Sequence, residues 1–118
     1  MSKVASNGFF YKRAGPIQSV LKKGSESLTM GANQVSVQIK AAPLHRTDAA
    51  IVNGTALGRT KKGDKLYTPF PRVGGCEGVG KVIDVGADVK SGVKAGDLVW
   101  IAPVQGTWAD KVVANGNM

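Results

Sequence analysis

Cysteine is nearly missing from the chain. Cys76 stands alone, so an intramolecular disulfide is impossible, a structural zinc site built on several thiolates is excluded, and a reducing compartment fits best. Histidine is equally scarce, with His45 the single copy. No uninterrupted run of about eighteen apolar residues occurs, which rules out a membrane-spanning helix. The opening stretch, Met1 to Gly8, has neither an apolar signal core nor the length of an arginine-rich transit peptide, so no leader is expected there. Acidic residues are also few, eight against sixteen Lys and Arg, for a net charge of +8.

That charge is unevenly placed. Met1 to Arg72 holds twelve basic residues against Glu26, Asp48 and Asp64, a net of +9, whereas Val73 onward is −1. Arg59, Lys61, Lys62, Lys65 and Arg72 fall in a stretch of Gly, Thr and Asp with no RNA-binding aromatic signature and no basic helix. A mobile basic loop is the simplest account, with a phosphorylated ligand as its natural partner and no nucleic acid expected.

What remains is an ordinary domain composition, 42% apolar and 20% charged over 118 residues, enough to bury a core without a staple. Sixteen glycines exceed the roughly 7% background and point to turns and close backbone approach. Val35-Ser36-Val37-Gln38-Ile39-Lys40 alternates apolar with polar and predicts a strand with one buried face. Gly8–Arg13 and Ile17–Leu21, parted by Ala14-Gly15-Pro16, predict an opening hairpin. Thr47 or Asp48 is placed to cap a short helix over Ala49–Asn53, closed by Gly54. Leu57–Phe70 reads as a long exposed loop. Val79–Val85, Leu98–Ala102 and Thr107–Ala114 read as further strands. The fold class expected is mainly β, a partly open barrel with one or two short helices and no internal repeat.

Two glycine motifs invite and fail a nucleotide reading. Gly75-Cys76-Glu77-Gly78-Val79-Gly80-Lys81-Val82 fits the phosphate-loop glycines and lysine, but Val82 has no hydroxyl for magnesium and a strand pattern follows. Gly75, Gly78 and Gly80 also have the wrong spacings for a dinucleotide fingerprint. They read instead as positions where two backbones pass closely. His45, Asp48, Cys76 and Glu77 are each able to bind zinc, yet one thiol with one imidazole is a thin donor set. The simpler reading is a structural Cys76, a hydrogen-bonded His45, and Glu77 paired with Arg46 or Arg72.

Pro71-Arg72-Val73-Gly74-Gly75-Cys76-Glu77-Gly78-Val79-Gly80, then Val85-Gly86 and Lys94-Ala95-Gly96-Asp97-Leu98-Val99, resemble the medium-chain dehydrogenase/reductase superfamily in type and order. The likeness runs on through Gly106-Thr107-Trp108-Ala109-Asp110 and back through Ala41-Ala42-Pro43-Leu44-His45-Arg46-Thr47-Asp48. Over nearly all of residues 1–118 it implies one unit, the GroES-like N-terminal domain, with the Rossmann domain that would bind the nicotinamide cofactor absent from this sequence. Among branches the motifs are most similar to mitochondrial trans-2-enoyl-CoA reductases, then to quinone oxidoreductases.

The resemblance implies a zinc-independent NADPH-dependent oxidoreductase acting on enoyl thioesters or quinones, inactive as this segment alone. It implies mitochondrial location, with cytoplasm as the alternative. It assigns Arg46 to the cofactor pyrophosphate and Thr47 to proton relay near the reacting oxygen. The enoyl-reductase tyrosine aligns with Ala56. Tyr67, in the inserted-looking Leu57–Thr68, either donates to a thioester oxygen or anchors the loop surface. Zinc alcohol dehydrogenases carry Cys at the place of His45 and His at that of Cys76, so no metal ligand is assigned. The alternatives are a free-standing GroES-like binding module and a zinc-dependent alcohol dehydrogenase domain. An uncovered apolar face, and with it self-association as a homo-oligomer, is expected of such a domain.

Overall fold

The computed structural model describes residues 2–55, 62–63, 70–102 and 106–117. Strand β3 (Gln34–Ala41) is the organising element. Its alternation places Val35 and Val37 in the interior, at 5% and 0% exposure. It lies between β5 (Gly78–Val85) and β7 (Lys111–Asn115), and β6 (Leu98–Ile101) extends the sheet beyond β5. Every pairing is antiparallel. Val35, Val37, Val82, Ile101, Val112 and Ala114 form one apolar cluster, joined by Val89 and Val93 from the loop between β5 and β6.

The second sheet has three strands in the order β2-β1-β4: β1 (Ser2–Tyr11), β2 (Lys22–Met30) and β4 (Arg72–Val73). β1 and β2 pair from Ser2 opposite Met30 to Phe10 opposite Lys22. The segment before β7 stitches the sheets together. Ala109 bridges to Gly8, the Phe9 amide donates to the Trp108 carbonyl at 2.9 Å, and the Asp110 amide donates to the Asn7 carbonyl at 2.8 Å. These bonds take residues 107–110 out of the strand expected to begin at Thr107, so β7 starts at Lys111. Both sheets stay open rather than closing into one barrel, and the mainly β character with two short helices is as expected.

The opening hairpin is not where the sequence suggested. Ile17–Val20 is a one-turn helix, α1, and the partner of β1 is Lys22–Met30. Pro16 has φ −59° and ψ 136°, and its carbonyl accepts the Val20 amide at 3.0 Å. The turn then seats Ile17, Val20 and Leu21 against Tyr11 and Val52, an i, i+3, i+4 set rather than a two-residue alternation.

Helix α2 (Arg46–Asn53) starts three residues before the span expected, with His45 rather than Thr47 or Asp48 as its N-cap residue. Asp48 instead occupies the third helical position and its carboxylate reaches back to accept the His45 amide at 2.8 Å. An acid there satisfies a free amide and suits the positive end of the helix. Gly54, at φ 84°, closes α2 as expected. Among the described residues no helix is long and apolar enough to cross a membrane.

Candidate functional site

Three separate stretches converge at the start of α2. Glu77 Oε2 lies 3.2 Å from His45 Nε2, and Glu77 Oε1 accepts the Trp100 indole N–H at 3.2 Å. Thr107 donates its hydroxyl to the Glu77 carbonyl at 2.6 Å, and the Trp108 indole donates to the Pro43 carbonyl at 3.3 Å. The crossing is tight. Gly75 has φ 94°, and a Cβ there would sit 2.6 Å from Thr107 Oγ1 and 2.7 Å from the Trp108 ring. Only glycine combines that left-handed backbone with that approach.

The partner expected for Glu77, Arg46 or Arg72, is therefore wrong. Glu77 is about one-third exposed and pairs with the half-exposed His45. Arg72 lies elsewhere, and it is not part of an exposed basic loop either. It is 7% exposed, with its guanidinium 4.0 Å from the centre of the Phe70 ring and 5.9 Å from that of Tyr11. Guanidinium planes stack on aromatic faces, and burial strengthens the contact. Tyr11, which shares a hydrogen bond with Arg72, has its phenol pushed above the usual tyrosine range: burial raises it, against the lowering by Arg72, and the Asp48 charge raises it further.

Arg46 and Thr47 both sit exposed on the first turn of α2. Arg46 makes no ion pair among the described residues, and a guanidinium so placed can pair with an anion. The Thr47 hydroxyl is equally accessible. Ala56 and Tyr67, with most of Leu57–Thr68, lie outside the described residues. Cys76 is half-buried. Among the described residues no three His, Cys, Asp or Glu side chains gather as a metal group would require.

Sequence reasoning missed Trp100 and Trp108, whose polar edges fix Glu77 and Pro43, and missed Asp48 as a buried acid. Asp48 is 2% exposed and its Oδ1 has no hydrogen-bond partner among the described residues. An acid three residues after the last extended position was the available signal for its capping role. The expected bare apolar face is present on the outer side of β5 and β6. Val79 is 42% exposed and pairs with Trp100 at 68%, and Leu98 is 72% exposed.

A two-sheet antiparallel β domain with a short helix set over a glycine crossing is the GroES-like architecture of medium-chain dehydrogenases/reductases. Residues 31–117 match the alcohol dehydrogenase GroES-like domain, and the chain belongs to that family. It is 35% identical, over 95% of its length, to the mitochondrial enoyl-[acyl-carrier-protein] reductase of Xenopus tropicalis. It is 36% identical, over 92%, to mitochondrial enoyl-[acyl-carrier-protein] reductase 1 of Debaryomyces hansenii. It spans 30% of the length of each.

Among solved structures, the mitochondrial 2-enoyl thioester reductase Etr1p/Etr2p heterodimer of Candida tropicalis superposes with TM-score 0.75 at 25% identity, over 95% of this chain and 32% of that one. An Etr1p mutant in complex with NADP and crotonyl-CoA gives 0.74 at 26%, over 97% and 32%. A putative NADPH:quinone reductase from Bacillus thuringiensis gives 0.77 at 25%, over 95% and 31%.

Proposed function

We propose that this chain is the substrate-side domain of a zinc-independent, NADPH-dependent reductase of the carbon–carbon double bond in enoyl thioesters, carried on acyl-carrier protein or coenzyme A. The observation that carries the reading is the first turn of α2, which presents Arg46 and Thr47 to solvent beside the His45–Glu77 pair. The relatives that share this fold reduce enoyl-[acyl-carrier-protein], and a structural neighbour was solved with NADP and crotonyl-CoA.

NADPH, when bound, supplies hydride to the activated double bond. In this domain Arg46 holds the pyrophosphate, since a fixed guanidinium fork recognises phosphate oxygens in pairs. Thr47 moves a proton at the reacting oxygen through its hydroxyl, a group able to donate and accept at once. Glu77 holds His45 and Trp100 at one corner of the cleft and so keeps the turn before α2 in place. Tyr67 is the further candidate donor to the thioester oxygen. The apolar strip of Val79, Leu98 and Trp100 is covered by the cofactor domain, which excludes water from the cleft. Mitochondrial location follows the relatives, and an oligomer follows the heterodimeric neighbour.

Hydride transfer requires both walls of the cleft in near-attack geometry. The test is NADPH oxidation with crotonyl-CoA. The 118-residue chain alone gives no turnover, and a polypeptide extending it through a cofactor domain gives turnover that Thr47→Val lowers about a hundredfold in kcat. Arg46→Ala raises KM for NADPH more than that for thioester. Turnover by the chain alone, or wild-type rates in the Thr47→Val enzyme, would overturn the reading. Quinone is the second reading, supported by the Bacillus thuringiensis neighbour, and a kcat/KM higher for quinone than for crotonyl-CoA would select it. Stoichiometric zinc on the chain would instead select the alcohol dehydrogenase alternative.

A further inference from the structure

The three-stranded sheet carries a second concavity, away from the His45–Glu77 corner. Phe10 and Pro71 line a groove of about 650 Å³ that runs between the end of β1, α1 and the start of β2, with the buried Tyr11 and Val20 at its floor. Lys12, Arg13, Lys22 and Lys23 line it too, and Glu26 is the one acid among the described residues that line it. All four cations are exposed. None of their side chains makes an ion pair or hydrogen bond among the described residues.

Cations gathered without counter-charges repel one another and raise the local positive potential, which draws in and orients an anionic partner. The lining narrows the chemistry of that partner. A bare polyphosphate satisfies the four cations but leaves the apolar wall unmatched. An acidic protein surface that interleaves carboxylates with apolar side chains matches both, in the usual interface pattern of an apolar centre within a charged rim. Beneath the groove the Tyr11 hydroxyl shares a hydrogen bond with the buried Arg72.

We propose that this groove is the docking surface for the acidic acyl-carrier protein that delivers the enoyl thioester. The inference rests on the reading of the chain as an enoyl thioester reductase domain.

The test is binding of the 118-residue chain to crotonyl-loaded acyl-carrier protein, followed by titration calorimetry at low and high salt. Lys22→Glu/Lys23→Glu weakens binding about tenfold or more and removes most of the salt dependence. Both residues are exposed on β2, and circular dichroism confirms that the variant is folded. Lys90→Glu/Lys94→Glu, an equal charge change beside the four-stranded sheet, alters binding less than about twofold. Equal weakening by both pairs, or no weakening by the first, overturns the proposal. So does single-stranded DNA or coenzyme A binding as tightly as the carrier, with the same sensitivity to Lys22→Glu/Lys23→Glu. In the assembled enzyme the two ideas separate: if crotonyl-CoA is reduced but the preference for carrier-bound over coenzyme A thioester does not move in that variant, the docking surface is wrong and the reaction stands. If neither thioester is reduced, the reaction is wrong.

Discussion

The two sheets are held by different forces. In the four-stranded sheet each strand sends an apolar side chain inward, and Val37, Val82 and Val112 are 0–2% exposed. Each such side chain contributes about 1.5–3 kcal/mol of burial. In the three-stranded sheet the inward positions of β1 are Ser6, Gly8 and Tyr11, and β2 is exposed along most of its length. Backbone pairing and polar stitches hold it: Ser6 donates to the Lys111 carbonyl at 2.7 Å, and the Asn7 amide donates to Asp110 at 2.8 Å. The four-stranded sheet has its inner face committed to the core. A sheet held by its backbone leaves its side chains free, and here those side chains include the cations Lys22 and Lys23.

The sharpest way to break this contrast is to charge both sheets. Val37→Asp puts a carboxylate at a position with 0% exposure and costs more than about 4 kcal/mol, enough to unfold the domain. Ser27→Asp, exposed on β2, stays within about 0.5 kcal/mol of the parent. Thermal melts followed by circular dichroism read both, and equal losses would erase the distinction. Next in size is the crossing that links β4 to β5. Gly75→Ala costs about 3 kcal/mol through a positive φ and a clash with Thr107 and Trp108, seen as a lower urea midpoint.

A third effect tests the small core beneath the polar sheet. Tyr11 is 2% exposed and its phenol is held above the usual tyrosine range by burial. A group whose folded pKa is raised gives its full stabilisation below the unfolded value, near pH 10, and loses it as pH rises through the folded one. The domain therefore loses stability above about pH 10, and Tyr11→Phe flattens that alkaline slope. An unchanged slope would show that Tyr11 ionises as freely as in the unfolded chain.

The same contrast explains what the sequence disclosed. β3 was legible because its apolar face writes itself into the sequence as alternation, and β5 and β6 because short apolar runs stand beside Gly, Pro or Asp. β2 was not, because Lys22–Met30 has no apolar face to read and takes its position from pairing with β1. Ile17–Leu21 was misread as a strand because an apolar run of that length does not by itself separate a strand from one helical turn. Arg46 and Thr47 were singled out through motif resemblance, and the structure sets both exposed on the first turn of α2. The His45–Glu77 contact was not, since residues so far apart in the chain meet only once β5 and α2 are placed. The burial of Arg72 depends on Tyr11 and Phe70 arriving from two other segments.

The smallest effect asks whether the stitch between the sheets is ionic. Asp110 accepts from the Asn7 amide at 2.8 Å and from the Asn7 side chain at 3.3 Å. Its carboxyl is held below the usual range by the Asn7 amide first, against slight desolvation, with the Asn7 side chain, the Lys111 amide and the Lys111 charge adding to the lowering. A group with a depressed folded pKa stabilises above the unfolded value, near pH 3.9, and loses that contribution as pH falls through the folded pKa. Urea midpoints at pH 5 and pH 2.5 should therefore differ less in Asp110→Asn than in the parent. Because Asp110 is exposed, solvent and salt screen the difference to a small one. Asn keeps an acceptor for the Asn7 amide, so stability near neutral pH falls only slightly. If the acid slope is unchanged, the sheets are joined by uncharged bonds, those of Phe9 to Trp108 and Asp110 to Asn7 in the backbone and of the Ser6 hydroxyl to Lys111, and the polar sheet owes nothing to charge.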